Sequence, residues 1–143
     1  MAVDWFEILG VVRRINGTIR QRLTAQVAGH GLEFTDVMVL TELWERGPQR
    51  LTQLGQALRL SPSTVFGVVE RLAARGLVQR GPDPDDRRAT VISLRDKQSL
   101  LARGSELVKT AFPGLVQLDP AAARDIIAAL NLLLRALGAE TEQ

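Results

Sequence analysis

One stretch of the sequence, residues 51–94, limits the possible folds more than any other. Within it, Ser61 is a favourable N-cap, and Pro62 suits the first helical position, where a backbone N–H is not needed. Gly76 provides a stop at the C-terminal end of this helix. Apolar residues at i, i+4 and i+7 indicate one buried stripe: Val65, Val69 and Leu72. The remaining positions are expected to face outward: Ser63, Thr64, Phe66, Gly67, Glu70 and Arg71.

The elements around this helix predict a winged helix-turn-helix. A short helix with the sequence QLGQALRL precedes it, and Thr52 is the expected N-cap. Two strands are predicted at 77–80 and 90–94, and the loop GPDPDDRRA between them contains two prolines and a glycine that oppose regular structure. A short helix, a turn and a second helix form a helix-turn-helix. A two-stranded ribbon with arginines at its tip adds the wing.

Amphipathic helices are predicted on the N-terminal side of this module. Residues 3–28 form one long helix according to the three- and four-residue spacing of their apolar members: Trp5, Ile8, Val12, Ile15, Ile19, Leu23 and Val27. A second helix is predicted from about Thr35, as N-cap, to Arg46. Its expected buried residues, with Trp44 as a further candidate, are Val37, Val39, Leu40 and Leu43.

Two more helices are predicted on the C-terminal side. The first starts near Asp96, and the Pro113–Gly114 pair ends or kinks it. Asp119 followed by Pro120 is typical of a helix start, with a cap residue before a proline. The last helix carries a broad apolar stripe and is expected to end at Gly138.

The terminal helices carry more apolar surface than one small module needs for its core. This excess predicts that they pack against each other and against a second copy of the chain. The expected dimer interface consists of Ile8, Val12, Ile15, Ile126, Leu130, Leu133, Leu134 and Leu137. A two-fold dimer would present two recognition helices to one side of a palindromic DNA site. The alternative is a monomer whose terminal helices cover its own core.

The net charge of +2 does not by itself indicate a nucleic-acid ligand. Its distribution is more informative, because residues 50–95 carry eight arginines and four acidic residues, whereas the segments before and after each have a net charge of −1. The chain contains sixteen arginines and two lysines, which favours bidentate contacts to phosphate or guanine. A skewed genomic base composition would produce the same ratio.

Several classes of protein are disfavoured by the composition. No apolar run approaches the length of a membrane span, and the N-terminus does not resemble a signal peptide. The absence of cysteine rules out disulfides, thiolate metal sites and a thiol redox switch, and is compatible with the cytoplasm. Neither a catalytic motif nor a metal-binding cluster is present, so we expect no enzyme activity, no metal and no cofactor.

The stretch LTQLGQALRLSPSTVFGVVERLAARGLVQRGPDPDDRRATVISL resembles the MarR family of bacterial and archaeal transcriptional regulators. The segment HGLEFTDVMVLTEL and the lengths of the flanking helices extend this resemblance over essentially the whole chain. It implies a mainly α-helical fold with a two- or three-stranded antiparallel wing. Residues 1–143 would form one domain, with dimerisation helices in 1–30 and 96–143 and the DNA-binding module in 33–95. It also implies a homodimeric repressor at the nucleoid that releases palindromic sites when a small, often phenolic or anionic, molecule binds.

The resemblance assigns roles to individual residues. In the recognition helix, hydroxyl and N–H groups would meet phosphates and base edges, and the residues that match the family's contacts are Ser61, Ser63 and Thr64. Phe66, Gly67 and Arg71, on the outward face of the same helix, are further predicted DNA contacts. In the wing, Arg88 would enter the minor groove, Asp86 would orient it through a charge-assisted bond, and Arg87 would contact a phosphate. Thr52 and Gln53 are expected near the DNA backbone. The wing arginines could otherwise belong to a solvated turn and pair with neighbouring aspartates.

The chain departs from the family pattern at Phe66–Gly67, where a Thr-Arg pair is common. Without an arginine there, base recognition should depend less on bidentate bonds in the major groove. Phe66 either contacts a thymine methyl or folds into the core, and Gly67 either permits close approach to DNA or reflects drift. The departure leaves open a second function, in which the winged helix binds a protein partner without specific DNA recognition.

The effector cannot be read from the sequence. An anionic or aromatic molecule held near the expected pocket could use residues from the first two helices, and the candidates are Trp5, Arg13, Arg14, His30 and Trp44. The alternative for each is ordinary packing or surface exposure.

Overall fold

A computed structural model describes residues 2–139 and confirms the predicted fold class, mainly helical with a small antiparallel sheet. The elements, in chain order, are α1 Trp5–Ala28, α2 Phe34–Arg46, α3 Leu51–Leu58, α4 Pro62–Ala74, β1 Val78–Pro82, β2 Thr90–Leu94, α5 Lys97–Ala111, α6 Pro113–Val116 and α7 Pro120–Ala136. The chain divides into two compact units, Met1–Leu107 and Val108–Gln143, and the division falls within α5. Residues 140–143 of the predicted C-terminal dimerisation segment, and Met1, lie outside the described residues.

The predicted helix signals around α4 are confirmed. Ser61 accepts a hydrogen bond from the Thr64 N–H at 3.3 Å, and Pro62 occupies the first helical position. Gly76 ends the helix in the left-handed region with φ of 71°, a conformation that favours glycine. In the same way, the carboxylates of Asp96 and Asp119 accept N–H bonds at the starts of α5 and α7.

Two predicted N-caps, Thr35 and Thr52, are wrong. In both helices the N-cap lies earlier in the chain, and its N–H is bonded by the side chain three residues after it. α2 begins one residue before Thr35, and the buried carboxylate of Asp36 accepts the Glu33 N–H at 2.7 Å. α3 begins at Leu51, so Thr52 lies inside the helix. There the side-chain oxygen of Gln53 accepts the Arg50 N–H at 2.8 Å.

The core of the central module is closed by residues of α2, α3, α4 and the sheet. Its buried members are Val39, Leu40, Leu43, Leu54, Val65, Val68, Val69, Leu72, Val78, Ile92 and Leu94. Val68 was not among the residues predicted to be buried. Of the predicted α2 residues, Val37 is half-buried, and Trp44 is 41% exposed, so the expectation that Trp44 joins the core is wrong.

The wing is a two-stranded antiparallel sheet in which Val78 pairs with Leu94 and Pro82 with Thr90. β1 therefore includes Gly81 and Pro82, which the sequence prediction placed in the loop. Proline is tolerated there because β1 is an edge strand of a two-stranded sheet, so a missing N–H donor interrupts no central ladder. Gln49 adds an isolated bridge to Ile92, donating its N–H to the Ile92 carbonyl at 3.0 Å and accepting the Ile92 N–H at 2.7 Å.

The terminal helices keep much of their apolar surface exposed. On α1, Ile15 is 39% exposed, while Ile8 and Val12 are half-buried. On α7, Leu133 is half-buried, and the other predicted interface residues are exposed: Ile126, Leu130, Leu134 and Leu137. Among the described residues, no helix combines the length and apolar character that crossing a membrane requires.

Candidate nucleic-acid interface

The N-terminal end of α4 presents a cluster of exposed hydroxyl groups. The Ser61 Oγ lies 2.8 Å from the Thr64 Oγ1 and 3.3 Å from the Ser63 Oγ. All three side chains are exposed, and they surround the helix end that carries partial positive charge. Hydroxyls can donate to phosphates and either donate to or accept from base edges, so this end of α4 suits the contacts that the sequence predicts.

Phe66 faces outward and is 52% exposed, so the alternative that it joins the core is wrong. The guanidinium of Arg80, on β1, lies over the Phe66 ring at 5.6 Å from its centroid and also pairs with Glu70 on α4. Next to this group, a Cβ atom on Gly67 would meet no other atom within 4 Å. The outward face of α4 therefore combines an open backbone position with an exposed ring flanked by two paired charges.

Arg71 lies on the side of α4 next to α2. Its NH2 group donates to Asp36 Oδ1 at 3.0 Å and lies 3.4 Å from Glu33 Oε2. Asp36 is almost fully buried, so the arginine compensates a carboxylate that would otherwise be costly to bury. Arg75, one turn later, donates to the His30 carbonyl at 2.8 Å. Arg71 as a DNA contact stays a prediction, but its guanidinium is already engaged by two acids.

The tip of the wing is shaped by backbone hydrogen bonds. Asp86 Oδ1 accepts the Arg88 N–H at 3.0 Å, and the Asp86 carbonyl accepts the Ala89 N–H at 2.9 Å. The described contact of Asp86 is thus with the backbone of Arg88, whereas the resemblance implied a bond to its guanidinium. Arg87 and Arg88 are exposed. The Asp86 carboxylate therefore shapes the turn that carries Arg88, and its effect on the Arg88 guanidinium stays a prediction.

A polar contact anchors the wing to the rest of the module. Arg50 donates from Nε and NH2 to Asp83 Oδ2, each at 2.7 Å, and the Asp83 Oδ1 accepts the Asp85 N–H at 2.9 Å. The bond from Asp85, and then the guanidinium of Arg50, hold the pKa of Asp83 below its ordinary value, against the opposing effect of burial. The ionised carboxylate therefore links the base of the wing loop to the start of α3.

One surface groove brings residues from four elements together: α3, α4, β1 and β2. It is lined by Thr52 of α3, Phe66 of α4 and Arg80 of β1, together with Arg50, Leu51, Ala89, Thr90 and Ile92. Thr52 and Gln53 are both exposed at the start of α3. The structure thus places Thr52 and Phe66, two predicted contact residues, in one concave surface next to the wing. Arg80 and Arg50 also line this surface, and the sequence prediction did not include them.

The predicted effector residues lie on α1, on α2 and just after α1. Trp5 is 67% exposed and Trp44 is 41% exposed. Arg13, Arg14 and His30 are exposed, and the His30 carbonyl is held by Arg75. The exposure of these residues does not test whether they bind an effector, so the effector site stays a prediction.

The chain is similar in sequence to known transcriptional regulators. A sequence model of the MarR family matches residues 32–90. The HTH-type transcriptional regulator MhqR of Bacillus subtilis is 30% identical over 103 residues, which cover 72% of this chain and 67% of that protein. The chain belongs to the MarR family. The uncharacterized regulator YkoM of the same organism is 36% identical over 84 residues, and the match spans 59% of this chain and 51% of YkoM, about half its length.

Solved structures agree with this assignment. A MarR family regulator from Silicibacter pomeroyi is 25% identical, with a TM-score of 0.73 and coverage of 88% of this chain and 86% of that one. CouR from Rhodococcus jostii, solved with p-coumaroyl-CoA bound, is 22% identical, with a TM-score of 0.71 and coverage of 95% and 94%, and supports the fold alone. The chain is thus a transcriptional regulator with a DNA-binding winged helix.

Proposed function

We propose that this MarR protein is a homodimer that binds a palindromic DNA operator in the cytoplasm, at the nucleoid, and represses transcription until a small anionic or aromatic molecule relieves it. The observation that carries the proposal is the joint exposure of a hydroxyl-rich helix end and an arginine-tipped wing on one compact module. Ser61, Ser63 and Thr64 would meet phosphates and base edges, and Arg88 would enter the minor groove.

Dimerisation is supported by the exposed apolar stripes of α1 and α7. Ile126, Leu130 and Leu134 are each more than 40% exposed within one chain, and burying them would release the surrounding water. A dimer also places two recognition helices about 34–36 Å apart, one turn of DNA, as a palindromic operator requires. We assign the dimerisation helices to residues 1–30 and 96–143, and the DNA-binding module to 33–95.

Repression and its relief follow from the same arrangement. A dimer bound across a promoter blocks access to it, and a molecule that binds better to another arrangement of the two modules would weaken DNA binding. CouR, which shares the fold, was solved with a CoA ester bound. The exposed tryptophans and arginines of α1 and α2 are the candidates for contacting such a molecule here.

The test begins with selection of bound fragments from the source genome, which we expect to return a palindromic consensus. Binding of the wild type and of Arg88→Ala to that duplex is then measured by fluorescence anisotropy over a range of salt concentrations. Loss of the guanidinium should weaken binding about tenfold or more and reduce the slope of log affinity against log salt by about one for each half-site.

Arg103→Ala is the matched control, because it removes the same charge from an exposed position on α5, outside the proposed contact surface. It should leave both affinity and salt slope close to those of the wild type. A protein that selects no sequence, or that loses as much affinity through Arg103→Ala as through Arg88→Ala, would contradict the proposal. A reporter assay with and without the gene then distinguishes repression from activation.

A further inference from the structure

The most unusual feature of the outward face of α4 is the large apolar side chain of Phe66. Phe66 is 52% exposed, while its neighbours Val65, Val68 and Val69 are at most 1% exposed. The ring lies on a surface that is otherwise hydroxyl-bearing or charged, and the Arg80 guanidinium covers one side of it. The exposed part of the ring is therefore available for an apolar contact with a ligand.

Arg80 and Glu70 hold the ring in a defined place. The Arg80 guanidinium lies 5.6 Å from the ring centroid and is itself paired with Glu70 one turn further along α4. This pairing offsets the charge of a carboxylate that would repel DNA. The guanidinium above the ring favours the position that Phe66 occupies. Restricting the ring before binding lowers the entropy lost when a base contacts it.

Gly67 leaves room for a base edge beside the ring. A Cβ atom at this position would meet no atom within 4 Å beyond its chain neighbours and the backbone of its own helix, so a methyl-sized space is open there. The thymine C5-methyl is the apolar group that base pairs present in the major groove. An exposed ring beside an open backbone position matches that methyl group, and it does not offer the hydrogen bonds that guanine, adenine or cytosine would require.

We propose that Phe66 is a specificity-determining residue that contacts the C5-methyl group of one thymine in each half-site. This inference rests on the proposed function, because it requires α4 to enter the major groove. It gives this chain a means of reading sequence at the position where a Thr-Arg pair is common in the resembling family.

The test uses the palindromic duplex obtained by selection, with each thymine replaced in turn by deoxyuridine. This replacement removes the methyl group and leaves every base-pairing atom in place. For the wild type, we expect one position in each half-site at which affinity falls about fourfold, the effect of losing one buried methyl, and about fifteenfold when both half-sites are changed. Replacement of the other thymines should change affinity by less than about twofold, on the same basis.

Three variants make the test specific. Phe66→Ala should bind thymine and deoxyuridine duplexes equally at the sensitive position, whereas Phe66→Leu, which keeps an apolar side chain, should retain a preference for thymine. Ser63→Ala should weaken binding to both duplexes by the same factor and leave their ratio unchanged. Circular dichroism checks that each variant remains folded, as expected for substitutions at exposed positions.

The outcomes separate this inference from the proposed function. If the protein selects a palindrome but no single thymine replacement changes its affinity, the role of Phe66 is wrong and the operator-binding function stands. The same conclusion follows if Phe66→Ala keeps the wild-type ratio between thymine and deoxyuridine duplexes. If the protein selects no sequence, both the function and the reading of thymine by Phe66 are wrong.

Discussion

The central module and the terminal helices of this protein treat their apolar residues differently. In the module, Leu54, Leu72 and Ile92 are fully buried among residues of neighbouring elements. On α7, Leu130 and Leu134 are 47% and 42% exposed, although the helix is rich in leucine. On α1, the ring of Phe6 is 87% exposed. The two regions thus differ in whether a single chain buries their apolar residues.

The difference indicates which contacts fold the chain and which assemble it. The module closes its core with its own residues, and burial there contributes directly to the stability of a single chain. The apolar stripes of the terminal helices contribute little until a partner covers them. This division predicts that mutations in the two regions affect different measurements.

The largest expected effect comes from charging the α7 stripe. Leu130→Asp combined with Leu134→Asp should place carboxylates in the proposed interface and convert the dimer to a monomer. Operator affinity should then fall on the order of a hundredfold or more, because the two modules no longer bind as one unit. Analytical ultracentrifugation measures the mass, and fluorescence anisotropy measures the affinity.

Leu132→Asp is the matched control, because Leu132 is 63% exposed and lies on the opposite side of α7 from the predicted stripe. It should leave the particle mass and the operator affinity unchanged. If the wild type has the mass of one 15.7 kDa chain, or if the double variant remains a dimer, the proposed role of the stripe is wrong.

A leucine-to-alanine pair measures the second expected effect. Leu72→Ala should reduce the free energy of unfolding by about 2–5 kcal/mol, since it removes a fully buried side chain from the core. Leu132→Ala removes the same atoms from an exposed position and should change the free energy of unfolding by less than about 0.5 kcal/mol. Urea denaturation followed by circular dichroism compares them, and equal losses would contradict the division between the two regions.

The Arg50–Asp83 contact holds the base of the wing loop, so acid should affect this part of the module. The pKa of Asp83 is lowered in the folded state, first by the Asp85 N–H and then by Arg50. Its stabilising contribution is therefore present above the ordinary carboxyl pKa and is lost as the pH falls through the lowered value. Asp83→Asn should be less stable than the wild type at neutral pH, by less than Leu72→Ala, and the difference should shrink in acid. A pH-independent difference would contradict the assignment.

The smallest expected effect concerns two helical glycines with open surroundings. Gly67→Ala and Gly104→Ala should each raise the free energy of unfolding by about 1 kcal/mol, because alanine favours the helix and the added methyl meets no atom within 4 Å. Only Gly67→Ala should also weaken operator binding, since Gly67 faces the proposed DNA surface. Equal operator affinities for the two variants would show that Gly67 does not serve close approach to DNA.

Local signals in the sequence predicted most of the fold. Ser61–Pro62 and Asp119–Pro120 each combine a cap with a proline that fits the first helical turn, and both helices start there. The prediction was less accurate where two local acceptors compete. At α2 and α3, the side chains of Asp36 and Gln53 accept the N–H groups of the residues three positions earlier. Both helices therefore start before the predicted threonine caps.

The contacts that shape the candidate site could not be predicted from the sequence. Arg71 is 35 residues from Asp36, and Arg50 is 33 residues from Asp83, so no local spacing connects either pair. The sequence indicates only that Arg80 lies in a strand, and its position over the Phe66 ring depends on the tertiary structure. The positions of Ser61, Ser63, Thr64 and Arg88 on the surface were predictable, because helix periodicity and turn composition determine them. The partners of the charged side chains required the tertiary structure.

We propose that two joined copies read two half-sites at a fixed separation. The dependence of affinity on half-site spacing tests this proposal most directly. Duplexes are compared in which about half a turn of DNA, roughly five base pairs, is inserted between the halves of the selected palindrome. We expect affinity to fall to that of a single half-site, because the second recognition helix then faces the wrong side of the duplex. Affinity that does not change with the insertion would contradict this proposal.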